Sequence, residues 1–285
     1  MVDKIQKDNM TVGKIIKQIS NDYTVKIENK LYICKARGKF RTLGITPLVG
    51  DNAQIDCNKK IIIDIENRKN ELIRPSIANV DQAVIVMSNK IPEFSLELLD
   101  KLLCIIEYNN IVPIIYVSKV DLLNELEIND LNKKLDYYKK IGYKVYTDLK
   151  IKEVFRDKVT VFVGQSGAGK STLLNKLDNN LELLTGEVSK ALGRGRHTTR
   201  HVELLEVQDG LIADTPGFSK ISFIGMSKED IRDNFIEFNN YRDECKYKDC
   251  MHYKEDDCKI KSEVNNKILK SRYDNYIKFI SEVVK

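Results

Sequence analysis

The chain has 285 residues and is 42% hydrophobic, enough for two or three domains with real cores. No apolar run approaches the length of a membrane span, and the opening stretch Met1–Asp8 lacks the apolar segment of a secretory signal; the expectation is a cytoplasmic protein with no membrane partner. The formal net charge of +5 is unevenly placed: residues 1–74 carry 15 Lys and Arg against 9 Asp and Glu, while the rest carry 32 against 33, so the N-terminal segment alone calls for a polyanion.

Five short strands are predicted between Val12 and Ile65: Val12–Ile19, Tyr23–Ile27, Leu31–Cys34, Asn52–Asp56 and Ile61–Ile65. Short strands without a helical pattern, on a basic segment, suggest an OB-type β-barrel over residues 1–72 that binds RNA. Between them lies Lys35-Ala36-Arg37-Gly38-Lys39-Phe40-Arg41, with a cation at every second position. In an extended segment these four charges share one face, with Phe40 as a stacking platform for bases; a solvated loop is the plain alternative. At Arg74-Pro75 the pattern changes. Asp81–Met87 and Val112–Ser118 read as buried strands, Ser95–Tyr108 and about 126–140 as helices, and a strand starts at Lys144. Strands alternating with helices predict a parallel α/β sheet, here assigned to residues 73–222.

The chemistry centres on Gly164-Gln165-Ser166-Gly167-Ala168-Gly169-Lys170-Ser171-Thr172, which follows an apolar strand and precedes leucines at helical spacing. Strand, glycine-rich loop and helix in that order make a phosphate-binding loop. Its backbone N–H groups cradle an anion, Lys170 reaches the β- and γ-phosphates and the Ser171 hydroxyl ligates Mg²⁺. Upstream, Ser118-Lys119-Val120-Asp121 closes a strand as a guanine-recognition motif does: Asp121 accepts from the base and the Lys119 stem covers the ring. Downstream come Arg196-His197-Thr198-Thr199-Arg200 and Asp214-Thr215-Pro216-Gly217. One of Thr198 and Thr199 would touch Mg²⁺ in the triphosphate state, Asp214 would hold it through a water, and the Gly217 N–H would meet the γ-phosphate. With the base motif ahead of the phosphate loop, the domain reads as a circularly permuted GTPase. The second switch then leads straight into the C-terminal region, to which it could pass a nucleotide-dependent movement.

That region, 223–285, opens with a predicted helix Ser227–Asn240 and continues with Cys245-x4-Cys250-x-His252-x5-Cys258. Three thiolates and an imidazole at this spacing suit one tetrahedral zinc ion per chain. Cys34, Cys57 and Cys104 are scattered and read as reduced, partly buried thiols. Val264–Val284 reads as an amphipathic helix, either a packed cap or a docking helix.

Arg37-Gly-Lys-Phe-Arg41, Pro47-x-Val-Gly-Asp51, the permuted motifs, Arg194-Gly-Arg-His-Thr-Thr199 and the cysteine cluster together resemble the RsgA family, the YjeQ-type ribosome small-subunit-dependent GTPases. The resemblance covers nearly the whole chain. It implies an OB-fold, a permuted GTPase, a zinc domain, GTP and GDP as ligands, and action in late maturation of the 30S subunit through 16S rRNA, with hydrolysis stimulated by the subunit. A monomer is expected. Ser118 stands where the family carries Asn, which implies weaker hydrogen bonding to guanine and to the phosphate loop. The base-side loop usually built on Ser-Ala is not legible near Thr147-Asp148. Phe218 stands where Ras-like enzymes place the Gln that orients water, so His197 becomes the candidate water-positioning group, beside Lys170, Thr198 and Thr199 in the catalytic set. Two rivals remain from the sequence, an RNA-binding assembly scaffold with a structural nucleotide pocket and an ATP-using phosphate-loop enzyme.

Overall fold

The computed structural model describes residues 10–73, 75–178, 202–214 and 222–283. They form two compact units that interleave along the chain. One holds the described parts of Met1–Gln82, Lys152–Phe162 and Ser171–Phe218; the other holds those of Ala83–Ile151, Val163–Lys170 and Ser219–Lys285.

The first unit starts with the barrel. Strands β1 (Met10–Ile19), β2 (Asp22–Ile27) and β3 (Lys30–Ala36) form a meander, followed by the helical turn α1 (Lys39–Thr42) and by β4 (Asn52–Asp56) and β5 (Ile61–Ile65). The order β1-β2-β3-β5-β4 closes because β4 also pairs with β1, from Met10↔Asp56 to Lys14↔Asn52. Alternation drives the closure: Ile15, Val25, Cys34, Ala53, Ile55 and Ile62 point inward and are fully buried. The turn before β4 is pinned by buried Asp51, which accepts the Leu48 N–H and a two-pronged bond from Arg68. A small hairpin, β6 (Glu71–Ile73) and β7 (Ser76–Ala78), follows.

The second unit carries β8 (Gln82–Ser88, from Ala83 on), α2 (Leu96–Tyr108), β9 (Val112–Ser118), α3 (Glu125–Lys140) and β10 (Lys144–Tyr146). Here β10 lies parallel to β9, and β9 neighbours β8. Every residue of β8 is buried, as expected for a strand covered on both faces. Helix α2 is capped by the Ser95 hydroxyl, and α3 by an Asn124–Glu127 capping box. Strand β11 (Val159–Val163) leads to α4 (Lys170–Leu177). In the first unit β11 pairs in parallel with β13 (Gly210–Asp214), which forms a hairpin with β12 (Glu203–Val207). Strand β12 in turn meets β1 at Lys17↔Glu203.

The C-terminal part belongs to the second unit: α5 (Lys228–Asp233), two 3-10 turns, α6 (Lys259–Glu263) and α7 (Lys270–Glu282). Phe223, Ile231, Phe235, Phe238, Tyr276 and Phe279 share one apolar cluster with Cys104 of α2. The C-terminal helix is therefore a packed cap.

Four expectations are corrected. The stretch Lys35–Arg41 is not one extended face: β3 ends at Ala36 and α1 starts at Lys39, so the alternation of cations breaks. Phe40 is only 2% exposed, held in the barrel core, and offers no stacking platform. The helix predicted over Ser227–Asn240 stops at Asp233, because Phe235 and Phe238 both turn into the core and the Asn234 side chain bonds back to the Asp230 carbonyl. The final helix starts at Lys270, six residues later than its pattern suggests, after a turn in which Asn265 adopts φ 70°. Cys34 and Cys104 are buried and Cys57 half-buried, all as free thiols.

Candidate functional site

At the end of β11 the chain turns through Gly164, φ +137°, where a Cβ would stand 2.3 Å from the Val86 carbonyl oxygen of β8. Only glycine lets the loop lie this close to the sheet. Gly169, φ +96°, closes the loop against Ser118, whose Cβ and Oγ would stand 3.3 Å from an added Cβ. The Lys170 ammonium is turned onto its own loop, donating to the carbonyls of Gly164 (2.7 Å) and Gln165 (2.6 Å). Burial pushes it down to about 8. The loop thus holds a desolvated cation that an anionic ligand would stabilise and redirect.

The base-side motif lies against the same loop. Ser118, at the end of β9, is buried and its hydroxyl donates to the Ala168 carbonyl at 2.6 Å. The expected weakening of the link to the phosphate loop is therefore offset: the shorter side chain still reaches it. Lys119 sits in the left-handed region, φ 58°, and its ammonium donates to the carbonyls of Gly167 (2.9 Å) and Ile91. This lays the lysine stem along the loop. Asp121 stands exposed in the first turn of the 3-10 helix Val120–Leu122. Since β10 is parallel to β9, pairing Tyr146↔Tyr116, Thr147 and Asp148 emerge on the same sheet edge as Ser118. Burial, then the charges of Asp148 and Asp121, raise the Tyr116 hydroxyl above its usual range.

In the C-terminal part Cys245, Cys250, His252 and Cys258 bring one ligand atom each within 4.8 Å of one another. The Cys245 and Cys258 sulfurs are 3.9 Å apart, and His252 Nδ1 lies 3.6 and 3.4 Å from them. A zinc tetrahedron built from ordinary bond lengths has edges of about 3.8 Å (S to S) and about 3.6 Å (S to N). The donor set fits the ion. The Glu255 carboxylate gathers the Met251 and Tyr253 N–H groups, and the Tyr273 and Tyr276 hydroxyls of α7 donate to the His252 and Met251 carbonyls. Burial pushes the Cys250 thiol up to about 12 and His252 down to about 4, and binding a cation would release thiol protons.

Family comparison agrees with this geometry. Residues 65–224 match the family model described as RsgA GTPase, and residues 12–61 match the RsgA N-terminal domain. The chain belongs to the RsgA GTPase family. It is 47% identical over 286 residues to a protein of Oceanobacillus iheyensis named small ribosomal subunit biogenesis GTPase RsgA 2, covering 96% of this chain and 98% of that one. A Clostridium botulinum protein named small ribosomal subunit biogenesis GTPase RsgA is 46% identical over 285 residues, covering 95% and 97%. The crystal structure of YloQ, described as a circularly permuted GTPase, aligns with a TM-score of 0.83 at 39% identity, covering 96% of this chain and 94% of that one. YjeQ from Thermotoga maritima aligns with the same TM-score at 32% identity, covering 96% and 98%.

Within this family architecture, His197, Thr198, Thr199 and Gly217 lie outside the described residues. Asp214 is the last residue of β13 and its side chain lies outside them too. The structure also adds residues that sequence reasoning missed. Arg272 of α7 is fully buried, donating to Asp100 of α2 (2.7 Å) and with two nitrogens to Glu237. Tyr138 and Asn275 complete the shell of Asp100, and Tyr137 donates to Glu237. The one available signal was an acid among the apolar positions of α2, beside Leu99, Leu102 and Leu103.

Proposed function

We propose that this chain hydrolyses GTP in the late maturation of the small (30S) ribosomal subunit, with turnover stimulated by the subunit. The observation that carries the reading is the tie between the two motifs: Ser118 and Lys119 both bond the loop Gly167–Ala168, which fixes a base-reading acid, Asp121, relative to a phosphate-binding loop. GTP would lie with its phosphates on Gly164, Gln165, Ser166, Gly167, Ala168, Gly169, Lys170, Ser171 and Thr172 and its guanine against Lys119 and Asp121. Lys170 leaves its carbonyl partners for the phosphates. Ser171, Thr199 and Asp214 would hold Mg²⁺, which neutralises the charge developing on the transferred group. Gly217 would donate to the γ-phosphate, Thr198 is the other candidate for the switch threonine, and His197 would position the attacking water in place of the missing glutamine.

Division of labour follows the sequence: residues 1–72 as an OB-fold RNA-binding domain, 73–222 as the permuted GTPase, and 223–285 as a zinc-stapled helical domain. The barrel and the zinc domain would bind 16S rRNA, and a cytoplasmic monomer with one zinc per chain fits the whole. The test is GTP turnover by the purified chain, alone and with small subunits added. Slow turnover alone and strong stimulation by subunits are expected; slow turnover unchanged by subunits removes the ribosomal part of the reading. His197→Ala should lower the stimulated rate and leave GTP binding intact.

A further inference from the structure

Three consecutive residues just after β8 each bond a different point of the base-side loop. The Asn89 carboxamide donates to the Ser118 carbonyl at 3.5 Å. The Lys90 ammonium pairs with Glu127 Oε1 at 2.6 Å. The Ile91 carbonyl accepts from the Lys119 ammonium. Ser118 begins the loop, Lys119 supplies the stem that would cover the base, and Glu127 sits in the first turn of the helix that ends it. Asp121 lies between these anchors and is exposed. The Glu127 carboxylate does two jobs, since its second oxygen accepts the Asn124 N–H at the start of α3. One carboxylate therefore joins the helix cap to the segment after β8.

A short exposed loop anchored at its ends samples many conformations, and each tether removes part of that freedom before a ligand arrives. We propose that Asn89–Ile91 is a positioning element of the guanine-nucleotide site, fixing Ser118–Asp121 over the phosphate loop and so setting how long a guanine nucleotide stays bound and how well its base is read. The proposal rests on the nucleotide-binding reading above. Asn89 and Lys90 act through Ser118 and Glu127, and Ile91 acts through its backbone, so its exposed side chain is not the working part.

The experiment is stopped-flow dissociation of a fluorescent GDP from the full-length chain, with GDP and IDP affinities measured alongside. IDP lacks the 2-amino group that Asp121 would accept from. Lys90→Ala and Glu127→Gln should each speed GDP release about two- to fivefold, the range of a half-exposed ion pair. The Gln keeps an oxygen for the Asn124 N–H, so the helix cap survives and Tm should stay within about 2 °C. The double variant should be no faster than the faster single, because the two residues act as one unit. Lys90→Arg should restore the wild-type rate, and the preference for GDP over IDP should shrink in both single variants. Wild-type release rates in the singles, an additive double, or an unchanged GDP-to-IDP ratio would each overturn the proposal. A wild-type chain that binds no GDP at all would instead overturn the nucleotide reading, and this inference with it.

Discussion

On the reading proposed above the phosphate loop and the cysteine cluster each hold a charged ligand, and they are prepared for it in opposite ways. The loop has an internal substitute: without an anion, Lys170 is satisfied by the Gly164 and Gln165 carbonyls. The cluster has only the weak sulfur contacts its ligands make with one another: its thiols and the His252 Nδ1 already stand at tetrahedral spacing. A ligand of the loop must outcompete existing hydrogen bonds, which suits a molecule taken up and released in every cycle. A metal at the cluster displaces only protons, which suits an ion that stays.

That contrast can be broken at four points. Chelating the metal, or making Cys250→Ser, should lower Tm by more than about 10 °C, since the ligands share a core with Phe238 and Tyr276 of the same unit. Metal analysis of the untreated protein should return close to one zinc per chain; none would remove the ion from this account. Arg272→Met should cost about 3–5 kcal/mol in urea unfolding at neutral pH, because Asp100 and Glu237 stay buried without their cation. The pH dependence has a definite sign. Burial already pushes the Asp100 carboxyl above its usual range, with Arg272 the strongest opposing influence, so in the variant the carboxyl rises further. A raised carboxyl contributes stability that is fully present below its unfolded pKa and is lost as pH rises from there through the native one, so the penalty should shrink on acidification toward pH 5. An equal penalty at both pH values would show that lost packing, not charge, is the cause. Lys170→Ala should weaken GDP and GTP about a hundredfold in fluorescence titration while leaving Tm unchanged, as expected for a group whose partners in the free protein are only its own loop. The smallest effect belongs to Ser118→Ala: loss of one buried hydroxyl bond to Ala168 should weaken GDP about three- to tenfold. Wild-type affinity there would mean that the two motifs are joined through Lys119 alone.

What could be read in advance was what local spacing controls. The strand–loop–helix around Lys170, the alternation of strands and helices between residues 81 and 146, and the cysteine spacing all depend on neighbours in sequence, and all reappear in the structure. What failed depended on partners far away. Phe40 resembles a platform among cations until the closed barrel supplies a core for it. Ser227–Asn240 has helical composition, but Phe235 and Phe238 are claimed by Tyr276 and Phe279, which lie some forty residues later. The Arg272–Asp100 contact joins positions 172 apart, and an arginine on an amphipathic helix reads as solvated until its acids are located.

Strand β1 carries a last implication. Its first half closes the barrel with β4, it pairs with β2 on both sides of a bulge between Ile15 and Lys17, and beyond that bulge it meets β12 at Lys17↔Glu203. Ion pairs Lys17–Glu203 and Lys26–Glu206 fasten that junction. A gene fragment ending near residue 72 would keep all five strands of the closed barrel but would strip β12 from β1 at Lys17, leaving that end of β1, with half-exposed Ile19, open on one side, and such edges recruit other chains. The barrel is a module with one seam left to cover, and a graft of it into another protein would need a strand or a charge at that seam.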